Sequence, residues 1–430
     1  MSFSTSSAQA RELLQPIEQD LVRLLAELVR ANTVALPPNG RETAGQLVLA
    51  AFLQAYGVET EMYDTGFLRD SAHPCVRRNR DYAGRLNLQA EIRGSGRGRN
   101  LLLNGHMDTV PAGAGWSCDP WSAEIRGGRL YGRGSLDMKG GLAAQFGALC
   151  ALHKAGLRSG GDLFAESVID EEWGGGGGTL AARLRGGPAA DAAVVTEGTG
   201  LQVALATRGG AVVDLICVAG DSAGYFSESE VVSPALPLGR LLGWLDGWAE
   251  RRRRPPERGA YRDFPDPAPV QVLAVEANRF SDDEAWAVPL AGRVRAYFQF
   301  LPHEDASEVL AQIRESFSLF CAADPFFRHY PPRWEPVLDP PLQGHELAAE
   351  DSWSRCFIGS AGAALLSPPP VTAAPYPCDA FLLQREFGIP TLLFGPRGGG
   401  GHNADEYVEV ESVIDTARVL LAAALEWCGG

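Results

Sequence analysis

Five short stretches of the sequence set imidazoles and carboxylates directly after apolar runs. In NLLLNGHMDTV, His106 and Asp108 follow Leu101–Leu103, and in YGRGSLDMKGG, Asp137 sits among glycines. FAESVIDEEWGGGGG sets Asp170, Glu171 and Glu172 before five glycines, VVTEGTG carries Glu197, and FGPRGGGGHNADEY carries His402. Three adjacent acids where a buried strand ends repel one another unless a cation, a proton or open water offsets the charge. Alone, each stretch has a plain reading: His106-x-Asp108 as a structural pair, Asp137 as a helix N-cap. Their recurrence at successive strand ends, where open α/β sheets place their sites, points to one chemical centre.

That centre suits metal ions. In a His-x-Asp pair an imidazole nitrogen ligates and the carboxylate two residues on can orient the ring. Asp137, Glu172 and Glu197 supply three negative charges and a bridging hydroxide a fourth, balancing two divalent cations with His106 and His402 neutral. Glu171 is then left over as a proton acceptor beside water activated between metals about 3.5–4 Å apart. Nitrogen and carboxylate donors without thiolate suit zinc, with cobalt or manganese as alternatives. Strict alternation would point Glu171 and Glu172 to opposite faces. Gly174–Gly178 are therefore expected to bend the chain and turn both into one cleft.

The elements around these stretches read as an α/β fold. Residues 11–31 carry apolar positions at helical spacing, and a second helix is expected at 43–56, ended by Gly57. Strands are expected near 58–64, 85–93, 100–105, 162–169 and 192–196, with helices at 138–155 and 178–185. After Arg208 the pattern changes to strand 211–219, helix 235–250, strand 291–300 and helix 305–320, enough for a small inserted α+β domain. The α/β pattern returns with strand 363–366, helix 379–387, strand 390–394 and helix 411–427, and 367–377 reads as a Pro-rich loop. The expectation is a mixed sheet with helices on both faces, built from residues 1–208 and 326–430 and interrupted by an insertion at 209–325.

Composition narrows the partners. A formal net charge of -15 argues against nucleic acid or an anionic membrane. Eight scattered cysteines without a CxxC pair read as reduced thiols, and Cys378 beside Asp379 as a packed one. MSFSTSSAQARELLQ lacks the charged and apolar regions of a signal peptide, so a cytoplasmic location is expected.

The motifs GHMDTVP, GRGSLDMKGG, DEEWGGGG, TEGTG and GHNADEY, in that order, resemble the co-catalytic zinc aminoacylase/carboxypeptidase family. That family includes acetylornithine deacetylase, succinyl-diaminopimelate desuccinylase and glutamate carboxypeptidase, and CDAFLLQREFGIPTLLFGP fits its C-terminal pattern. The resemblance implies His106 and Glu197 on one metal, Glu172 and His402 on the other, Asp137 bridging, and Asp108 orienting His106. Glu171 would take a proton from metal-bound water attacking an amide carbonyl and pass it to the leaving amine. The implied substrate is an N-acyl amino acid or related small amide. The implied fold carries an inserted lid domain, often used to form a homodimer.

The lid region departs from the family. Relatives carry a histidine soon after the first lid strand to stabilise the oxyanion, but VAGDSAGYFSESE (218–230) has Tyr225 and Phe226 and no histidine. Gln299 stands where many relatives have an arginine, and Arg293 and Arg295 read as solvated strand residues. An oxyanion donor is worth about 3–4 kcal/mol, so Tyr225, Arg208 or Arg397 is expected to replace it. Otherwise the chain catalyses an atypical biosynthetic reaction such as amide formation or cyclisation, or holds metal and ligands without catalysis.

Overall fold

The strands Leu101–His106 and Leu163–Val168 are buried at every residue, as expected where structure covers both faces of a sheet. In the computed structural model, which describes residues 3–218, 233–257, 259–277 and 291–429, they lie central in a mixed sheet. Its strands follow the order Val203–Thr207, Thr391–Leu393, Ala192–Val195, Leu101–His106, Leu163–Val168, Leu86–Ile92 and Thr60–Asp64. The four strands from Thr391–Leu393 to Leu163–Val168 are parallel, and antiparallel strands flank them. Their carboxyl ends therefore share one edge of the sheet, the edge where ligands bind in open α/β folds.

The helices Gly140–Lys154 and Val410–Trp427 pack on this sheet in one apolar core with Glu18–Arg30. Small residues set how closely they approach: a Cβ on Gly141 would run into the carbonyl oxygen of Thr196, the residue before Glu197. A second, smaller sheet orders Gly398–Gly399, Tyr407–Glu409, Arg129–Tyr131 and Glu124–Arg126. These strands were too short to stand out in the sequence, yet they bring the loops carrying Asp137 and His402 together.

Several expected elements shift. The helix over 11–31 is interrupted: Phe3–Leu14 and Glu18–Arg30 flank a tight turn at Gln15–Ile17, where Pro16 has no N–H to donate. The run 363–366 is not a strand but the end of the helix Ser352–Ala364 and the turn after it. The strand is Val371–Ala374, inside the stretch expected to be loop, because the prolines flank it rather than interrupt it.

The chain divides into two compact units, one of Met1–Ala206, Leu347–Ala374 and Cys378–Gly430, the other of Thr207–Glu346 with Pro375–Pro377. The second has an antiparallel sheet ordered Val270–Glu276, Ala291–Phe300, Gly209–Val218 and Arg333–Pro336. Ala211, Val213 and Leu215 share its buried face with Val294, Ala296 and Phe298, in one core with the helices Ala235–Arg252 and Ala306–Ala323. The Asp305 side chain caps the latter, accepting from the amides of Ser307 at 2.9 Å and Glu308 at 3.1 Å. This unit extends beyond the expected limit at 325 because Arg333–Pro336 pairs with Gly209–Val218. Among the described residues no helix is long and apolar enough to cross a membrane.

Gly141→Ala should destabilise the first unit by about 1–3 kcal/mol through overpacking against the Thr196 carbonyl. Calorimetry should show a lower thermal midpoint than for the parent protein.

Candidate metal centre

Each of the four parallel strands is followed by one or more of the charged residues singled out above. His106 ends its strand, Glu171 and Glu172 follow Leu163–Val168, Glu197 follows Ala192–Val195, and His402 follows Thr391–Leu393 after a short loop. Asp137 comes from the loop after Arg129–Tyr131. Two groups of donor atoms result, His106 with Asp137 and Glu197, and Asp137 with Glu172 and His402, each within 4.8 Å of one another. Asp137 belongs to both. Its Oδ1 lies 3.1 Å from Nε2 of His106 and its Oδ2 3.1 Å from Nε2 of His402. Glu197 Oε1 is 3.5 Å from His106 Nε2, and Glu172 Oε2 is 3.0 Å from His402 Nε2.

These separations fit metal coordination. Donors bound at about 2.0–2.2 Å in a tetrahedral shell lie about 3.2–3.6 Å apart, close to the distances found. Glu172 Oε1 is buried without a hydrogen-bond partner, an acceptor for which a cation would provide the missing contact. Both groups offer only imidazole nitrogen and carboxylate oxygen, which suits zinc, cobalt or manganese.

The electrostatics point the same way. Burial, opposed by His106, and then the charges of Asp379, Glu197 and Glu172 push the Glu171 carboxyl well above its ordinary value. Burial and the Asp137 charge raise Glu197. Burial also works against a charged His106, but its contacts with Asp108, Asp137 and Glu197 carry it well above its usual range. The Glu172 charge leads in raising His402 to about 12. Such a cluster is short of positive charge, and divalent cations would supply it.

Two expectations about the supporting residues change. The His106 ring is oriented mainly by a carbonyl: Nδ1 lies 2.9 Å from the backbone oxygen of Asp108 and 3.5 Å from its carboxylate. That carboxylate instead accepts the amide of Glu171 at 3.2 Å and of Glu172 at 3.1 Å, holding the two glutamates from behind. The bend between those glutamates and the strand falls at Asp170 itself, in the left-handed region at φ 70°. Its buried carboxylate takes the Arg80 Nε at 2.7 Å and both Arg85 terminal nitrogens at 3.1 Å. Arg85 in turn pairs with buried Glu42. Arg80 and Arg85 carried no motif; only the folded chain brings them to Asp170.

The glycine run serves bending and close approach together: Gly174 and Gly175 lie in the left-handed region at φ 95° and 71°. A Cβ on Gly174 would strike the Arg77 guanidinium, one on Gly175 the Asp379 carboxylate, and one on Gly177 the Tyr82 ring at 2.8 Å. Asp379, whose carboxyl burial raises to about 7, accepts the Thr179 hydroxyl at 2.6 Å. Its neighbour Cys378 is a buried thiol pushed well up by that burial, in keeping with a packing role. The Trp173 indole is tied to the Ala35 carbonyl at 3.0 Å.

Of the expected substrate-binding residues, Arg208 and Arg397 are each described within their own unit. Tyr225 lies outside the described residues. Within the second unit the Arg208 guanidinium is 4% exposed and committed, donating to Gln299 Oε1 at 2.8 Å and to the carbonyls of Pro375 and Asp266 at 3.1 and 2.6 Å. It also lies against the rings of Tyr261 and Phe264. Gln299 is its partner within the same unit, and the Arg208 Nε is buried without one. Arg293 and Arg295 are ion-paired with Glu276 and Asp214 rather than simply solvated. Arg397 lines a cavity of about 420 Å³ with Arg11, Leu366 and Asp415, and none of the clustered imidazoles or carboxylates borders it.

Residues 102–426 match the model of peptidase family M20/M25/M40. The chain belongs to that family. It is 27% identical to N-formyl-4-amino-5-aminomethyl-2-methylpyrimidine deformylase of Halalkalibacterium halodurans, over 97% of this chain and 97% of the relative. Over 32% of this chain and 29% of the relative it is 38% identical to succinyl-diaminopimelate desuccinylase 2 of a Ruegeria species. Among solved structures, the Saccharomyces cerevisiae di-peptidase Dug1p superposes with a TM-score of 0.82 at 15% identity, covering 100% of both chains. Human carnosine dipeptidase 1 superposes with a TM-score of 0.78 at 17% identity, over 98% of this chain and 99% of that one. The fold of this M20 protein, a mixed α/β sheet unit with a smaller α+β unit, is that of these enzymes.

Asp170→Asn in the M20 protein should cost about 3–5 kcal/mol, because it removes the carboxylate from a buried pair and leaves Arg80 buried without its partner. Denaturant unfolding should register the loss even in protein stripped of metal.

Proposed function

We propose that this protein is a two-metal amidohydrolase that removes a small acyl group, a formyl group first of all, from an amine nitrogen. The observation that carries the proposal is the shared Asp137, with one oxygen toward the His106–Glu197 pair and the other toward the Glu172–His402 pair. His106, Asp137 and Glu197 would hold one divalent ion and Asp137, Glu172 and His402 the other, zinc being the first choice. When bound, such ions would polarise the scissile carbonyl and lower the pKa of water.

The side chains then divide the remaining work. Glu171 belongs to neither group of donors, yet its Oε2 lies 3.8 Å from His106 Nε2. It would take the proton of the attacking water and return it to the departing amine. Asp108 holds the amides of Glu171 and Glu172, and its backbone carbonyl fixes the His106 tautomer with Nε2 free to ligate. The second unit would act as the lid.

Two observations favour a formyl amide. The deformylase relative matches nearly end to end, whereas the desuccinylase matches over about a third. The stretch 218–230 also lacks the lid histidine. A formyl carbon carries hydrogen in place of an alkyl group, so it is less hindered and more electrophilic and demands less of an oxyanion donor. All eight cysteines are free thiols, which fits a cytoplasmic enzyme.

Assays of N-formyl aminomethylpyrimidine against N-acetyl and N-succinyl amino acids and dipeptides should give a kcat/KM at least about tenfold higher for the formyl compound. Turnover confined to acetyl or succinyl amino acids would overturn the substrate. Glu171→Gln should keep two metal ions by elemental analysis while kcat falls about 10²–10⁴-fold. A homodimer is the expected state, formed through the strand Val270–Glu276, which exposes Val272, Leu273 and Val275. Sedimentation should show a dimer that Leu273→Lys weakens.

A further inference from the structure

The motif GHNADEY contains two acids that the proposed chemistry does not use, Asp405 and Glu406, and only Glu406 is buried. Glu406 is fully buried, and both its carboxylate oxygens are occupied. Oε1 accepts the amides of Leu136 at 2.9 Å and Asp137 at 3.1 Å, and Oε2 accepts the amide of Gly134 at 2.9 Å. The fourth donor is Arg133 Nη1 at 2.6 Å, also on Oε2. The Arg133 fork continues to the carbonyls of Asn403 at 3.1 Å and Ala112 at 3.2 Å, and the Gly132 amide reaches the Glu406 carbonyl at 2.9 Å.

These bonds tie two loops together beyond the short strands that bring them near each other. One carries Asp137 and the other carries His402, four residues before Glu406. The pairing of Tyr407 with Tyr131 brings the loops side by side but ends before either donor. From there the Glu406 carboxylate and the Arg133–Asn403 bond are the links, and one of the donors to that carboxylate is the amide of Asp137 itself.

We infer that Glu406 is a positioning residue for the metal centre. Its charge, balanced by Arg133, sets the peptide of Asp137 so that each carboxylate oxygen faces one imidazole, coupling the two half-sites. The inference rests on the two-metal reading and deepens it. Charge is needed as well as shape, since a carboxylate can serve four donors whereas an amide offers one oxygen and adds two donors of its own.

The test uses the full chain, stripped with chelator and titrated with Co²⁺ by calorimetry and visible absorption. The parent should bind two ions, and Glu406→Gln should bind them about 10–100-fold more weakly with an altered Co²⁺ spectrum. Glu406→Asp, which keeps the charge with a shorter reach, should fall between the two. Parental affinity and spectrum in Glu406→Gln, with only a lower melting temperature, would show a merely structural role and overturn the inference. If Glu406→Gln does not fold, Glu406→Asp decides: unchanged affinity overturns the inference and weakened affinity supports it. A parent that binds fewer than two ions would overturn the two-metal reading, and this inference with it.

Discussion

Asp108, Asp137, Glu171, Glu172 and Glu197 lie together where parallel strands end, and their mutual repulsion is the constraint the surrounding structure answers. Like charges in a dry environment either neutralise or find fixed positive partners. Here the partners lie in two layers. Behind the donor atoms, Arg80 and Arg85 grip Asp170, and the amides of Glu171 and Glu172 point at Asp108. In front, His106 and His402 meet Asp137, and the proposed cations would complete the balance.

This layering explains features that otherwise look unrelated. Asp170 sits in the left-handed region because the chain must reverse there while its carboxylate stays with two arginines. The glycines after Trp173 lack side chains because Arg77, Asp379 and Tyr82 occupy that space. A bulkier run would push those groups away and release the turn carrying the two glutamates. Packing and electrostatics thus act on the same few residues, and neither can be changed alone.

In the second unit the arginines are spent on internal contacts. Arg208 is enclosed by aromatic rings and carbonyls, and Arg295 is fixed to Asp214.

Much of the centre was legible in the residues alone. His106, Asp137, Glu171, Glu172, Glu197 and His402 each follow an apolar run or a glycine turn, a local pattern that survives folding because strands end where their side chains turn polar. Residues 102–426, which contain these motifs, match the family model. The apolar runs likewise marked the central strands, since burial on both faces leaves a continuous hydrophobic segment. The short strands Arg129–Tyr131 and Tyr407–Glu409 were not legible, because three residues carry too little periodicity to distinguish them from turns. Nor were the true neighbours of Arg80, Arg208 and Glu406. Those partners lie tens to hundreds of positions away, and only closure of the sheet decides which donor meets which acceptor. The amino-acid sequence by itself determined the donor types and their order along the chain. Which atoms face each other, and which charges lie behind them, was decided by the tertiary structure, because hydrogen-bond partners are chosen by distance in space.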